Sequence, residues 1–132
     1  LEENSQNFNV GSGVIMSPKG LIVTNNHVVT DSQEILVRLA DGREFKARDV
    51  KRDASTDLAI VHIDAPDELN PIEVGDSSDA SVGDWVIAVG CPFNLEQTVS
   101  AGIISGSSRI LNGILKGQFL QTDASINPGN SG

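Results

Sequence analysis

The sequence predicts an all-β protein of many short strands, and three observations carry that prediction. Its 132 residues hold thirteen glycines against four Phe and one Trp. Its apolar runs are dominated by Val, Ile and Leu, which suit a pleated, half-buried surface. Each run is bounded by Gly, Pro, Asn, Asp or Ser, the residues of turns. A chain of this length is one domain, or two small lobes sharing an interface, and it can bury a real core.

Residues 1–9 are polar apart from Leu1 and Phe8. With Val10 they read as an N-terminal arm, residues 1–10, that packs only if a partner receives Phe8. Val14-Ile15-Met16 and Leu21-Ile22-Val23-Thr24 form a strand pair across the turn Ser17-Pro18-Lys19-Gly20. Asn25 and Asn26 end the second strand, and His27-Val28-Val29 reads as one helical turn capped by either asparagine. Glu34 to Leu39 sets Ile35, Val37 and Leu39 against Leu36 and Arg38. Asp41-Gly42 then signals a hairpin into Glu44 to Val50, with Phe45, Ala47 and Val50 inward. After the polar connection Lys51 to Thr56, the segment Asp57 to Ile63 is a buried strand with a carboxylate at its mouth. Five strands are placed in this way, and residues 11–64 as a whole are expected to hold six, enough for a small closed barrel.

Residues 65–71 are the linker candidate, rich in proline and acid. Residues 72–132 repeat the style with about four strands: Ile72 to Val74, Asp84 to Gly90, Gln97 to Ser107 and Gly117 to Thr122. Ser105 to Ser108, continuing through Asn112-Gly113, is expected to be a flexible surface loop. This second lobe is two strands short of a six-stranded barrel.

Composition narrows the functional classes. A formal net charge of −9 disfavours nucleic acid or an anionic membrane surface as partner, since both require clustered Lys and Arg. Cys91 is the sole cysteine, so no intramolecular disulfide forms. Neither C-x-x-C nor H-E-x-x-H spacing is present, and no metal or cofactor is expected. No apolar run approaches the roughly 18 residues of a membrane span. The start at Leu1, with neither initiator Met nor signal peptide, suggests a processed or trimmed piece.

The closing stretch Asn127-Pro128-Gly129-Asn130-Ser131-Gly132 is either a plain loop or a tight turn presenting a hydroxyl nucleophile. A serine needs a base to take its proton, and a histidine is suited to that work. His27 is the candidate, although a half-buried or helix-capping histidine explains it as well. The base must itself be held in one tautomer by an acceptor on its other ring nitrogen. Asp57 can do this, or be a turn aspartate leading into a strand. Gly129, lacking a Cβ, can turn its N–H beside that of Ser131 toward a developing oxyanion. His62, within a strand and beside no acid or serine motif, reads as structural or solvent-facing. Cys91, in G-C-P-F without an electropositive partner, reads as a partly buried thiol.

Taken together, G-S-G-V-I-M-S-P-K-G-L-I-V-T-N-N-H-V-V, T-D-L-A-I-V-H-I-D, S-V-G-D-W-V-I-A-V-G-C-P-F and Q-T-D-A-S-I-N-P-G-N-S-G resemble the HtrA/Deg family of chymotrypsin-like serine proteases, from about Gly11 to Gly132. The resemblance implies a chymotrypsin-like double β-barrel, its second barrel incomplete in this chain, with the active site between barrels. It implies His27 as base, Asp57 as orienting acid and Ser131 as nucleophile, with Gly129 and Asn130 framing the oxyanion hole. It further implies an ATP-independent endopeptidase acting on unfolded protein or peptide substrates outside the cytoplasm. The compartment would be a bacterial periplasm or cell envelope, or alternatively an organelle lumen. The assembly would be a homotrimer or larger, and the full-length protein often carries a PDZ domain.

In that fold the specificity pocket's floor lies six positions before the nucleophile, at Ser125, so Asp123 is two positions away from a trypsin-like acidic floor. With Ser125, Ile126 and Asn127 at the pocket, cleavage is expected after Val, Ala or Ile. Asn130 stands where trypsin-like zymogens carry an acid that pairs with a freshly cut N-terminus, so control is expected through loop ordering instead. Cys91 replaces the asparagine common in the family's G-N-P-F turn. The segment after Gly132 that would complete the barrel is missing from the 132 residues, so this piece alone is expected to be inactive and poorly folded. A rival from another class is a catalytically silent, chaperone-like module that binds extended peptides by β-augmentation. The intact His27, Asp57 and Ser131 speak against it.

Overall fold

The computed structural model describes residues 10–90, 98–109, 119–127 and 130. β1 (Val14–Ser17) and β2 (Leu21–Asn25) form the first hairpin. Its turn requires Gly20, whose φ is +85° and whose N–H donates to the Ser17 carbonyl at 3.2 Å. Gly20 also lies so close to Ile63 that a Cβ would collide with the Ile63 carbonyl oxygen. β3 (Leu36–Arg38) and β4 (Glu44–Asp53) form the second hairpin, turning through Asp41-Gly42 with Gly42 at φ +87°. Arg43 donates to Asp41 from both backbone and guanidinium, and it lies 5.9 Å from the centroid of the Phe45 ring.

β5 (Leu58–Ile63) lies between β2 and β4, giving an antiparallel sheet of order β1-β2-β5-β4-β3. It curls into a half-barrel. Five strands therefore do the work expected of six. The ten-residue β4 fills two places: Glu44 to Lys46 pair with β3, and Ala47 to Asp53 pair with β5. A bulge between Ala47 and Asp49 adds Arg48 as an extra residue. Such a bulge bends a strand and shifts its side-chain alternation, which is why the inward set runs Phe45, Ala47, then Val50. All three pack against the core formed by Ile22, Val29, Ala59, Val61, Ile63 and Leu69. Thr24 is the buried polar residue there, and its hydroxyl donates to the Ser12 carbonyl at 2.6 Å.

Residues 65–71 carry no strand or helix, yet they are packed rather than free. The Leu69 N–H donates to the Pro18 carbonyl at 3.0 Å, and its side chain joins the core. Ile72 to Val74, expected to be a strand, is not one. A single backbone bond, Ile72 N–H to Ile15 carbonyl at 2.8 Å, ties it to β1, and Val74 is exposed. After a 3-10 turn at Ser77–Asp79, β6 (Trp85–Gly90), β7 (Thr98–Arg109) and β8 (Phe119–Thr122) form a second antiparallel sheet in that order. Among the described residues this lobe has three strands, not four. Ser105 to Ser108 lie in β7 rather than in a loop. Register shifts on both sides of Gly106 let the strand bend and stay paired with β8. The remainder of the expected loop, the Phe8 arm and Cys91 lie outside the described residues.

Candidate active site

The site is assembled where β2 and β5 end together. Their register sets Asn25 opposite Leu58, so the residues just beyond, His27 on one chain segment and Asp57 on the other, meet across the sheet end. α1 (Asn26–Val29) is the single helical turn, and Asn25 occupies its N-cap position with φ −80° and ψ 146°. The Asn25 side chain does not cap it, contrary to expectation. Instead the Asp57 carboxylate accepts the His27 N–H at Oδ1, 2.9 Å away. A carboxylate is the stronger acceptor for that N–H, because the bond is charge-assisted and sits at the positive end of the turn.

Asp57 has φ +55°, the left-handed region that Asp and Asn tolerate better than other side chains. In this conformation its carbonyl receives two donors, the Asn26 N–H at 3.0 Å and the Asn25 side-chain amide at 3.0 Å. Its Oδ2 faces His27 Nδ1 at 2.7 Å, and the Asn25 amide approaches the same oxygen at 3.3 Å. The bond to Asp57 requires the proton on Nδ1, which leaves Nε2 of the neutral ring as an unprotonated acceptor, the state a general base needs. The His27 side chain is 57% exposed and that of Asp57 only 19%, so the ring can meet a substrate while its acid is shielded. Partial burial pushes the Asp57 carboxyl up. The His27 backbone and ring hydrogen bonds, the ring's charge and the Asn25 amide outweigh it and hold the group below the ordinary carboxylate value.

Ser131 and Gly129 lie outside the described residues. Asn130, between them, donates its N–H to the Asn127 carbonyl at 3.0 Å. That N–H is engaged, so Asn130 can frame an oxyanion hole but does not donate into one from this conformation. The Asn130 side chain lies against Gly90, so closely that a Cβ on Gly90 would overlap it, and its Oδ1 is buried with no hydrogen-bond donor among the described residues. Ser125, Ile126 and Asn127 are exposed, and the Ser125 carbonyl accepts from Ser100 Oγ at 2.7 Å. Asp123 is structural: its Oδ1 accepts the Ile103 N–H at 2.7 Å, tying the end of β8 to β7.

His62 is committed elsewhere. Its Nδ1 accepts from the Arg48 guanidinium at 2.7 Å, and its Nε2 therefore carries the proton it gives to the Lys19 carbonyl at 3.1 Å. A recess of about 460 Å³ lies beside the helical turn, lined by Val29, Asp31, Glu34, Ile35, Lys46 and Arg52 among others. It contains neither His27 nor Asp57, and its acids and bases are partly paired, Lys46 with Glu34 at 2.8 Å. Among the described residues no group of three His, Cys, Asp or Glu could hold a metal ion. No described helix is long and apolar enough to cross a membrane. Sequence reasoning missed Asn25 and Gly90. The doubled asparagine before His27 was the available signal for the first, and the glycine ahead of Cys91 for the second.

A curled β-sheet with a His–Asp pair at its end, followed by a second antiparallel sheet with three strands among the described residues, is the architecture of the chymotrypsin-like double β-barrel. The chain belongs to the trypsin-like peptidase domain family, whose model matches residues 11–132, and within it to the HtrA/Deg group. A DegP-like periplasmic serine endoprotease of Rickettsia prowazekii is 47% identical over 136 residues, covering 100% of this chain and 26% of the relative. The serine endoprotease DegS of Salmonella typhimurium is 50% identical over 124 residues, covering 93% of this chain and 35% of that protein. Among solved structures, the HtrA-type protease AlgW with a decapeptide superposes with a TM-score of 0.86 at 45% identity, covering 92% of this chain and 38% of that one. The chain thus spans about a quarter of the length of the first curated relatives it matches.

Proposed function

We propose that the protein containing this chain is an ATP-independent serine endopeptidase that degrades unfolded or misfolded proteins outside the cytoplasm, in a bacterial periplasm or cell envelope. The observation that carries the reading is the 2.7 Å bond from His27 Nδ1 to Asp57 Oδ2, which keeps the proton on Nδ1 and leaves Nε2 as the acceptor of the neutral ring. The names of the relatives, periplasmic serine endoproteases and an HtrA-type protease holding a decapeptide, support the substrate class and compartment.

In this reading His27 Nε2 takes the proton of Ser131 Oγ as the oxygen attacks the scissile carbonyl, and Asp57 stabilises the imidazolium that forms. The carbonyl electrons move to an oxyanion held by the N–H groups of Gly129 and Ser131, with Asn130 framing the turn. Collapse breaks the C–N bond, His27 gives its proton to the leaving amine, and water repeats the sequence on the acyl-enzyme. Ser125, Ile126 and Asn127 line the pocket and favour Val, Ala or Ile before the cut. The working assembly is a homotrimer or larger with a PDZ domain in the full-length chain, a reading that rests on the family resemblance and fits relatives of which this chain covers 26% and 35%. The test is fluorophosphonate labelling of the full-length protein beside Ser131→Ala. Labelling that disappears in the variant is expected. Wild type that binds unfolded casein yet takes no label would make the chain a peptide-binding module instead.

A further inference from the structure

We infer that Asn25 is a positioning residue for the His27–Asp57 pair, its one side-chain amide clamping both the carboxylate and the backbone carbonyl of Asp57. This rests on the protease reading of the same site. The amide nitrogen lies 3.0 Å from the Asp57 carbonyl oxygen and 3.3 Å from Oδ2. It thus bridges two acceptors of one residue, and it does so from a short stem whose backbone is locked in register opposite Leu58.

Two features make this more than incidental contact. Asn25 holds the N-cap position of α1 but makes no capping bond, although asparagine is among the residues that ordinarily cap a helix there. Its donors are spent on Asp57, and the cap is supplied by Asp57 in return. Asp57, for its part, stands at φ +55°, a conformation that persists only where surrounding bonds over-determine it. The amide ties the αL backbone to the carboxylate rotamer, so the oxygen that orients His27 Nδ1 cannot swing without breaking a bond at the carbonyl as well. Asn and Asp are equally good caps, but only Asn can donate. The clamp therefore demands asparagine where capping alone would accept either.

Asn25→Leu in the full-length protein tests the clamp, because it keeps the approximate size, removes the donor and adds no charge beside the Asp57 carboxylate. The expected result is an intact fold by melting temperature, KM for a peptide substrate nearly unchanged, and kcat lower by on the order of 10- to 100-fold, short of the roughly ten-thousandfold cost of losing the orienting carboxylate. The downfield proton resonance of His27 Nδ1–H, which reports its bond to Asp57, should move upfield. A kcat within about twofold of wild type together with an unmoved resonance overturns the inference. Should Asn25→Leu fail to fold, Asn25→Ala, smaller and also uncharged, is read by the same two measures and decides in the same way. If wild type takes no fluorophosphonate, the protease reading fails on its own. The resonance, which needs no turnover, still tests the clamp.

Discussion

Gly90→Ala should disable the site without unfolding the sheet that carries the substitution. Gly90 ends β6 opposite Thr98, and its φ is not among the left-handed ones, so its backbone accepts an alanine. The obstruction is steric. A Cβ at Gly90 would overlap the Asn130 side-chain amide and lie 2.9 Å from the Asn130 Cα. Rotating the Asn130 side chain leaves the second clash in place. Carbon atoms in contact sit about 3.5–4.0 Å apart, so the Asn130 backbone must retreat by roughly 1 Å. Asn130 directly precedes Ser131, the proposed nucleophile, and a misplacement of about 1 Å at a reacting group costs on the order of 100-fold in rate. That is about 2.7 kcal/mol of activation free energy, two factors of ten. The assay is kcat/KM of the full-length protein on a peptide ester beside a thermal melt of the same preparation. Activity within about threefold of wild type in a folded variant would refute the reasoning, since the nucleophile's segment would then not depend on this contact.

The first core has its most sensitive position at Ile63, which is fully buried. Ile63→Ala should cost about 2–5 kcal/mol by urea denaturation, whereas the exposed Val74→Ala should change stability by no more than about 0.5 kcal/mol. Equal effects would contradict the assigned core. Acid should destabilise the fold in a defined window. Burial raises Asp57, but hydrogen bonds from His27 and Asn25 hold it below the ordinary value of 3.8. Side-chain bonds from Arg43, from Ser55 and from Ser78 do the same for Asp41, Asp53 and Asp76. A carboxyl depressed in the folded state contributes stability that is complete above its unfolded value and lost as pH falls through the folded one. Denaturation midpoints should therefore hold from neutrality to about pH 5 and fall steadily below about pH 4. A midpoint that rises on acidification in that lower range would show the carboxylates are not held this way.

Much of this was legible because local chemistry and long-range pairing agree. Pro18 and Gly20 mark a turn that the Gly20 φ requires, and Asp41-Gly42 does the same for the second hairpin. The alternation of Ile35, Val37 and Leu39 against Leu36 and Arg38 survives as burial. What stayed hidden depends on partners distant in sequence. Nothing in Phe45 to Val50 announces the bulge at Arg48, because a bulge is a property of the pair β4–β5 and not of one strand. Ile72 to Val74 has strand composition and lacks only a neighbour along its length. At the site, T-N-N-H and T-D-L point to a base and an acid, but an asparagine ahead of a helical turn looks like a cap. Only the left-handed turn at Asp57 shows that its amide is used 32 residues away.

The His27–Asp57 bond joins residues 30 apart, so its geometry is a property of the β2–β5 register. A slip of one residue would turn Ile22 and Thr24 outward from the face they share with Ala59 and Val61, and burial forbids it. A slip of two would keep every side chain on its proper face and yet carry Asp57 about 7 Å along the strand, far beyond hydrogen-bond reach. Hydrophobic pattern alone cannot exclude that second slip. The exclusion comes from the hairpin turn, where the Ile63 N–H donates to the Gly20 carbonyl at 2.9 Å and the Ile63 carbonyl occupies the space of a missing Cβ. Gly20 is the one glycine between Val14 and Asn25, and two residues either side stand Pro18 and Ile22, neither of which could accept that approach. A glycine at the far end of the strands thus sets the register that brings His27 and Asp57 together at the near end. Its replacement by alanine should be felt first as loss of that pairing.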